Sequence, residues 1–497
     1  MTPSPAVRET TAPGTAVRKT AVREAAVRKN AVRKNAVRET AVREAAPGRA
    51  RRRPRDQYGL ALTTGSGAAA AYRTGLDRLL SVEDGAAEAL GEAVRLDPQF
   101  ALGRATLAIV LTEQAGAPDT ADRGTVRAHL HEARRWSHLA TEREASFVTA
   151  AVLWCAEGLS GDALLVGHVR RWPRDACAVS LIAPSIASAG VSAGVVDVWP
   201  LLDGIRRHYP GDWWLTGLRA FARTEQGRWG EAESLAAAGL DARPGSGHAA
   251  HALAHVLYET GRHEAAIDWL DDWRAGAGAR QRFGCHFSWH AALCELGLGR
   301  IDDVRRRFDR DLGSLTGSRA LVDGGSLLAR CAAHGHPLGG RRAAAVREAA
   351  GGLIEAPASP FFAWHAAVLA GLCADVDRLD ALEDHARRRR TPIAGGPEPS
   401  PPCLEAWGMV VSVCRAVRAA LRSDHLAAAA LISALGDTVA LGGSPAQREL
   451  LDDIVLGSLV AAGESEAAAA VAARRLRRRP SEFDRRLCRP DRVPAPG

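Results

Sequence analysis

Six of the sixteen histidines in this 497-residue chain fall between positions 248 and 290, where an even scatter would place one or two. His248, His251, His255 and Glu259 lie in one stretch, and His286 and His290 follow with Trp289 beside them. On a helix turning about 100° per residue, the first four point within an arc of about 80°. The small apolar residues Ala250, Leu253, Ala254 and Leu257 point to the other side. That pattern predicts a helix whose apolar side packs on a partner while its imidazoles look away from it. Three chemistries suit it. Pairs of His at i, i+4 chelate Zn²⁺ or another transition metal, so His251, His255, His286 and His290 are candidate ligands, with Glu259 able to join them. The same rings could instead line a polar groove that hydrogen-bonds a peptide or small ligand, with acid–base chemistry near neutral pH. They could also simply hydrogen-bond between helices and set their stacking.

Other catalytic patterns fail. His263-Glu264 begins like a zincin motif, but the fifth position is Ile267. Neither a G-x-S-x-G elbow nor a phosphate loop ending in Gly-Lys-Ser/Thr occurs. The glycines at 276 and 278 stand too isolated to mark a nucleotide site, and Trp213, Trp214 and Phe221 read as packing or groove-rim residues. Whether any reaction occurs is left open by these residues.

The elements that must hold the histidines are helical. Ala, Gly and Arg dominate and aromatics are 5% of the chain, which argues for helices and against a β-sandwich or barrel. Gly227-Arg228-Trp229-Gly230-Glu231-Ala232 recurs as Gly261-Arg262-His263-Glu264-Ala265-Ala266 and, more loosely, as Gly299-Arg300-Ile301-Asp302-Asp303-Val304. The glycines are 34 and 38 residues apart, and a related phrase runs from Gly85 to Pro98. A unit of helix, Gly turn and helix at this period is the mark of tetratricopeptide repeats. Each hairpin leaves an apolar face open and must stack on its neighbour, so the expected fold is an all-α helical-hairpin solenoid. Further helices are expected at 101–115, 125–157, 161–171, 321–334, 341–354, 361–390, 404–422, 424–435 and 445–478.

The predicted organisation is a disordered low-complexity basic tail at 1–56, a repeat solenoid at 57–390, a Pro-rich linker at 391–402, C-terminal helical repeats at 403–480 and a flexible tail at 481–497. Residues 1–56 carry seven AVRxx pentapeptides and 12 Arg and 3 Lys against 4 Glu and 1 Asp, a net of +10. A five-residue step cannot line the valines along one helix face, so nothing offsets the ordering entropy. The remaining chain is close to neutral, so nucleic acid is at most a weak partner through that tail. The basic cluster Arg474, Arg475, Arg477, Arg478 and Arg479 reads as a solvated helix end. Nine dispersed cysteines with no CxxC pair fit reduced thiols in a cytoplasm, with no secretory signal ahead of them. Residues 176–196 lack charge but hold Pro184 and small residues, which fits a buried helix pair rather than a membrane span.

These residues resemble the tetratricopeptide repeat protein 38 family over roughly 57–385. The resemblance runs through Tyr209-Pro210-Gly211-Asp212, Glu225-Gln226-Gly227, His251-Ala252-Leu253-Ala254-His255, Cys285-His286, Trp289-His290-Ala291-Ala292-Leu293 and Leu321-Val322-Asp323, and more loosely Pro360-Phe361 and His365-Ala366. It implies an all-α repeat protein of the cytosol and supplies no reaction. Members carry an acidic residue three positions after the second histidine, where this chain has Tyr258 with Glu259 one step later. The expected function is a cytoplasmic repeat protein that binds a protein, peptide or small ligand in a concave groove formed by His248, His251, His255, Tyr258, Glu259, His286, Trp289 and His290. The alternative is a metal-dependent or histidine-based enzyme using the paired helices.

Overall fold

Alanine-rich segments with few β-branched runs give helices throughout. A computed structural model describes residues 53–115, 122–157, 162–189, 198–391 and 401–489, and every regular element among them is a helix. Numbering those of six residues or more, the N-terminal part holds α1 (Ser66–Ser81), α2 (Ala86–Leu96), α3 (Ala101–Ala115), α4 (Asp122–Trp136), α5 (Glu142–Glu157), α6 (Asp162–Arg171), α7 (Ala176–Ala189) and α8 (Val198–Ile205). The central hairpins are α9 (Trp213–Glu225) with α10 (Trp229–Ala242), α11 (Gly247–Glu259) with α12 (His263–Ala275), and α13 (Gly284–Gly297) with α14 (Ile301–Arg307). Then follow α15 (Gly325–Ala333), α16 (Gly340–Ala350), α17 (Pro360–Leu372), α18 (Val376–Arg389), α19 (Pro401–Leu421), α20 (His425–Ser433), α21 (Pro445–Ala461), α22 (Ser465–Leu476) and α23 (Glu482–Leu487).

Local sequence explains the ends. Asp212, Ser246, Ser359, Asp375, Asp424 and Ser444 each accept a backbone N–H at the start of a helix. The hairpin turns share one device. Gly227, Gly261 and Gly299 adopt φ of 67°, 74° and 73°, the left-handed region that glycine enters without penalty. At Gly261 the glycine N–H donates to the Tyr258 carbonyl at 3.0 Å and the Arg262 N–H to the Leu257 carbonyl at 2.9 Å, closing the helix end. The same turn joins α17 to α18 at Ala374 (φ 52°) and α19 to α20 at Ser423 (φ 62°). The expected helix at 361–390 is therefore a hairpin. Likewise 125–157 divides at Ser137–Thr141, and 445–478 divides at Gly463.

Packing is close where side chains are smallest. A Cβ on Gly217 of α9 would lie 2.9 Å from the backbone nitrogen of Ala249 in α11, and one on Gly239 of α10 would lie 3.0 Å from the Ala249 Cβ. Large apolar clusters occupy both parts, one around Tyr72, Phe100, Phe147 and Trp214, the other around Trp289, Phe308, Trp364 and Trp407.

Several expected boundaries shift. Residues from Pro54 onward cluster as one unit. Asp56 accepts from the Tyr58 and Leu60 N–H groups, and Leu62 is fully buried, so the tail cannot extend to 56. Residues 1–52, the bulk of the predicted disordered tail, lie outside the described residues. The linker is shorter than read, since Pro401 and Pro402 open α19, where proline suits a first turn; residues 392–400 lie outside the described set. Arg415 and Arg418 of α19 bond Glu383 of α18, so the two sides of the linker pack as neighbours. Residues 482–487 form α23 with Asp484 buried, and only 490–497 of the predicted C-terminal tail lie outside the described residues. In the segment read as a buried helix pair, α7 is buried from Ala176 to Ile182, while 190–197 lie outside the described residues. Among the described residues no helix is long and apolar enough to cross a membrane.

Candidate functional site

Ser246 caps α11, and the i, i+4 spacing places His251 and His255 one above the other on that helix. The same spacing on α13 pairs His286 with His290. The two helices stand side by side and the four imidazoles meet. Ring centroids are 4.6 Å apart for His251 and His255, 5.0 Å for His251 and His286, and 4.6 Å for His255 and His290. Nε2 of His251 lies 3.2 Å from Nε2 of His255 and 3.1 Å from Nε2 of His286. Ligand-type atoms of His251, His255 and His290 all fall within 4.8 Å of one another.

Aromatic rings wall the cluster. Phe221 of α9 stacks on His251 at 5.0 Å and 17°, and Trp289 stacks on His286 at 5.3 Å and 10°. Trp289 is fully buried and donates its indole N–H to Ser326. His255 and His290 are buried at 2% and 0% exposure, whereas His248, His251 and His286 are half-buried. This corrects the expected arrangement, in which one side of α11 packed and the other faced outward. Ala250, Ala254 and Leu257 are buried as predicted, and so is most of the opposite side, because α13 and the C-terminal segment cover it.

Burial also sets the charge. Removal from water pushes His255 down to about 3 and His248 to about 4, and drives His251 and His290 well below the ordinary imidazole value, with neighbouring rings adding to the effect at 251, 255 and 290. These four rings are neutral at pH 7. Neither nitrogen of His290 has a hydrogen-bond partner.

Asp323 completes the cluster and was not anticipated as a site residue. Its Oδ1 lies 3.0 Å from Nδ1 of His286 and its Oδ2 accepts from Arg319 at 3.1 Å. Burial opposes its charge, yet His286 and Arg319 beside it hold its carboxyl below the usual range. Asp323 belongs to a π-helical turn, Ala320–Gly324, that leads into α15. The sequence signal was the phrase Leu321-Val322-Asp323. A lone acid 37 residues from His286 gives no periodic hint that the two meet.

Tyr258 and Glu259 join a different centre. The Tyr258 hydroxyl donates to Glu449 Oε2 at 2.7 Å, and Glu259 accepts from Arg478 at 2.5 Å and Arg479 at 3.0 Å. Arg479 also donates to Glu449 and lies 3.9 Å over the Tyr258 ring. Glu449 neighbours a second set in which Asp453 accepts from Arg330 and Arg475, both at 2.7 Å, with His334 Nε2 at 3.1 Å. Of the basic run read as solvated, Arg479 is therefore a buried ion-pair partner and Arg475 a partly buried one.

The tetratricopeptide repeat family profile matches residues 223–281. That stretch runs from the end of α9 through α12 and carries His248, His251 and His255, so the chain contains a tetratricopeptide repeat, a unit whose stacked hairpins present extended surfaces to protein partners. No curated protein and no solved structure matches the chain.

Proposed function

We propose that the protein is a cytoplasmic tetratricopeptide scaffold that recognises a peptide segment of a partner, or a small ligand, at the histidine cluster of α11 and α13. One observation carries this reading: four imidazoles from successive hairpins meet at centroid separations of 4.6–5.1 Å with aromatic rings on both flanks. A purely structural contact would need no such concentration of titratable rings. The paired H-x-x-x-H phrases also support the narrower kinship with the tetratricopeptide repeat protein 38 family. His248 and His286 are its partly exposed members, and Trp289 its buried floor. Tyr258 and Glu259 serve this reading indirectly, by anchoring the end of α11.

The test is photo-cross-linking in cells from a benzophenone side chain at position 248, compared with the same probe in a His251→Ala/His290→Ala background. Cross-links that map to 247–297 and fall at least tenfold in the double variant are expected. Equal recovery of the same partner from the folded double variant overturns the proposal.

A further inference from the structure

The nitrogens of the cluster cannot all be satisfied by one another. Nδ1 of His286 lies 3.0 Å from Asp323 Oδ1, and its Nε2 faces Nε2 of His251 at 3.1 Å. The single proton or lone pair at Nε2 of His251 can serve only one of the two nitrogens that face it, Nε2 of His286 at 3.1 Å and Nε2 of His255 at 3.2 Å. His290 sits alongside with both nitrogens buried and unpartnered, a cost that folded proteins seldom leave uncompensated.

A cation would give these crowded ring nitrogens a common partner. Zn²⁺ held by imidazole at about 2.0–2.1 Å in tetrahedral geometry sets neighbouring ligand nitrogens about 3.3 Å apart. The observed separations are 3.1 and 3.2 Å. We propose that His251, His255 and His290 bind a divalent transition metal of the zinc class, with His286, oriented by Asp323, at the fourth position. This rests on the reading of the four imidazoles as one ligand site and names what that site holds first.

The donor set selects the metal. Neutral imidazoles suit Zn²⁺, Co²⁺, Ni²⁺ and Cu²⁺, whereas Mg²⁺ and Ca²⁺ require oxygen ligands. Asp323 fits the position of an outer-sphere carboxylate: it fixes the tautomer of His286 and supplies negative charge to a site whose own ligands carry none. Glu259 takes no part, being held by Arg478 and Arg479.

The experiment uses the full chain carrying no polyhistidine tag. It is dialysed against Zn²⁺ and then metal-free buffer, and metal is counted by mass spectrometry. A second sample receives Co²⁺ and its visible d–d absorption is read. About one metal per chain and an intense tetrahedral Co²⁺ band are expected, given how tightly such ligand sets hold zinc. His255→Ala and His290→Ala should lose both signals, and Asp323→Asn should weaken affinity about 10–100-fold. His290→Leu guards against misfolding: it should match or exceed the wild type in melting temperature without metal and lose the gain that Zn²⁺ gives the wild type. Folded wild-type protein holding less than about 0.2 metal per chain with no Co²⁺ band overturns the proposal. Partner cross-linking that persists in such metal-free protein would leave the recognition reading standing, whereas metal binding without any cross-link at 247–297 would remove recognition and leave the metal site.

Discussion

Tyr258 and Glu449 stand 191 residues apart in sequence and share a hydrogen bond of 2.7 Å in a buried setting. Arg479 bonds both, and bonds Glu259 as well. The end of α11, which carries half the histidine cluster, is thus fastened by Glu449 of α21 and by Arg479 from the turn after α22.

Removing Arg479 should be costly. Arg479→Ala takes from Glu449 its directly bonded guanidinium and leaves Glu259 with Arg478 alone, and a broken buried pair costs about 3–5 kcal/mol. Tyr258→Phe should cost about 1 kcal/mol, because Arg479 still serves Glu449. Urea titration at neutral pH measures both. Burial opposes the Glu449 charge, but Arg479, Arg475 and Arg330 beside it hold its carboxyl below the usual value. Its contribution is therefore present above the unfolded carboxylate pKa and is lost as pH falls through the depressed folded value. The Arg479→Ala penalty should shrink over that acid range.

Glu225 gives the opposite pH dependence. It ends α9, its Oε1 is sealed without a partner, and burial raises its pKa to about 7 against the pull of Arg448. Stability linked to this group is full below about 4.5 and declines as pH rises to about 7, by about 2–3 kcal/mol. Glu225→Gln should flatten this slope, which denaturation series at pH 5 and pH 8 will show. An unchanged slope in the variant counts against the assignment.

Ala374 and Ser423 hold left-handed turns that glycine takes at 227, 261 and 299. Both are exposed, so replacement loses no packing. Left-handed backbone costs a non-glycine residue about 1–2 kcal/mol, partly offset by the extra freedom of glycine in the unfolded chain. Ala374→Gly and Ser423→Gly should each stabilise by about 0.5–1 kcal/mol, read as a higher urea midpoint with unchanged m.

Gly217 should tolerate no added methyl. The new Cβ would lie 2.9 Å from the Ala249 backbone nitrogen and 3.2 Å from its Cβ, and two helix backbones must part to admit it. Gly217→Ala should cost about 1–3 kcal/mol. Because Ala249 adjoins the histidine helix start, ligand or metal affinity should fall along with the melting temperature.

The repeat was legible where its punctuation was glycine. Gly227, Gly261 and Gly299 announced three hairpins, whereas Ala374 and Ser423 hid two more, because a residue that bears the strain of a turn leaves no signal in the sequence. The paired imidazoles of 251, 255, 286 and 290 followed from helical spacing and repeat period, since both act over short distances. Asp323 did not, because a π turn carries no periodic signature. Nor did the role of Arg475 and Arg479, because charges at a helix end look the same in sequence whether water or a distant carboxylate faces them.

That distant carboxylate has a consequence in time. Arg479 follows Glu259 by 220 residues, so at about 5–20 residues per second the ribosome leaves Glu259 without this counter-charge for roughly 10–45 s. Throughout that interval α11 can pack on its hairpin neighbours, including the helix that carries His286 and His290, but its C-terminal end lacks the segment that supplies Arg479. The ion pair at this end of α11 is therefore among the last contacts the chain can complete.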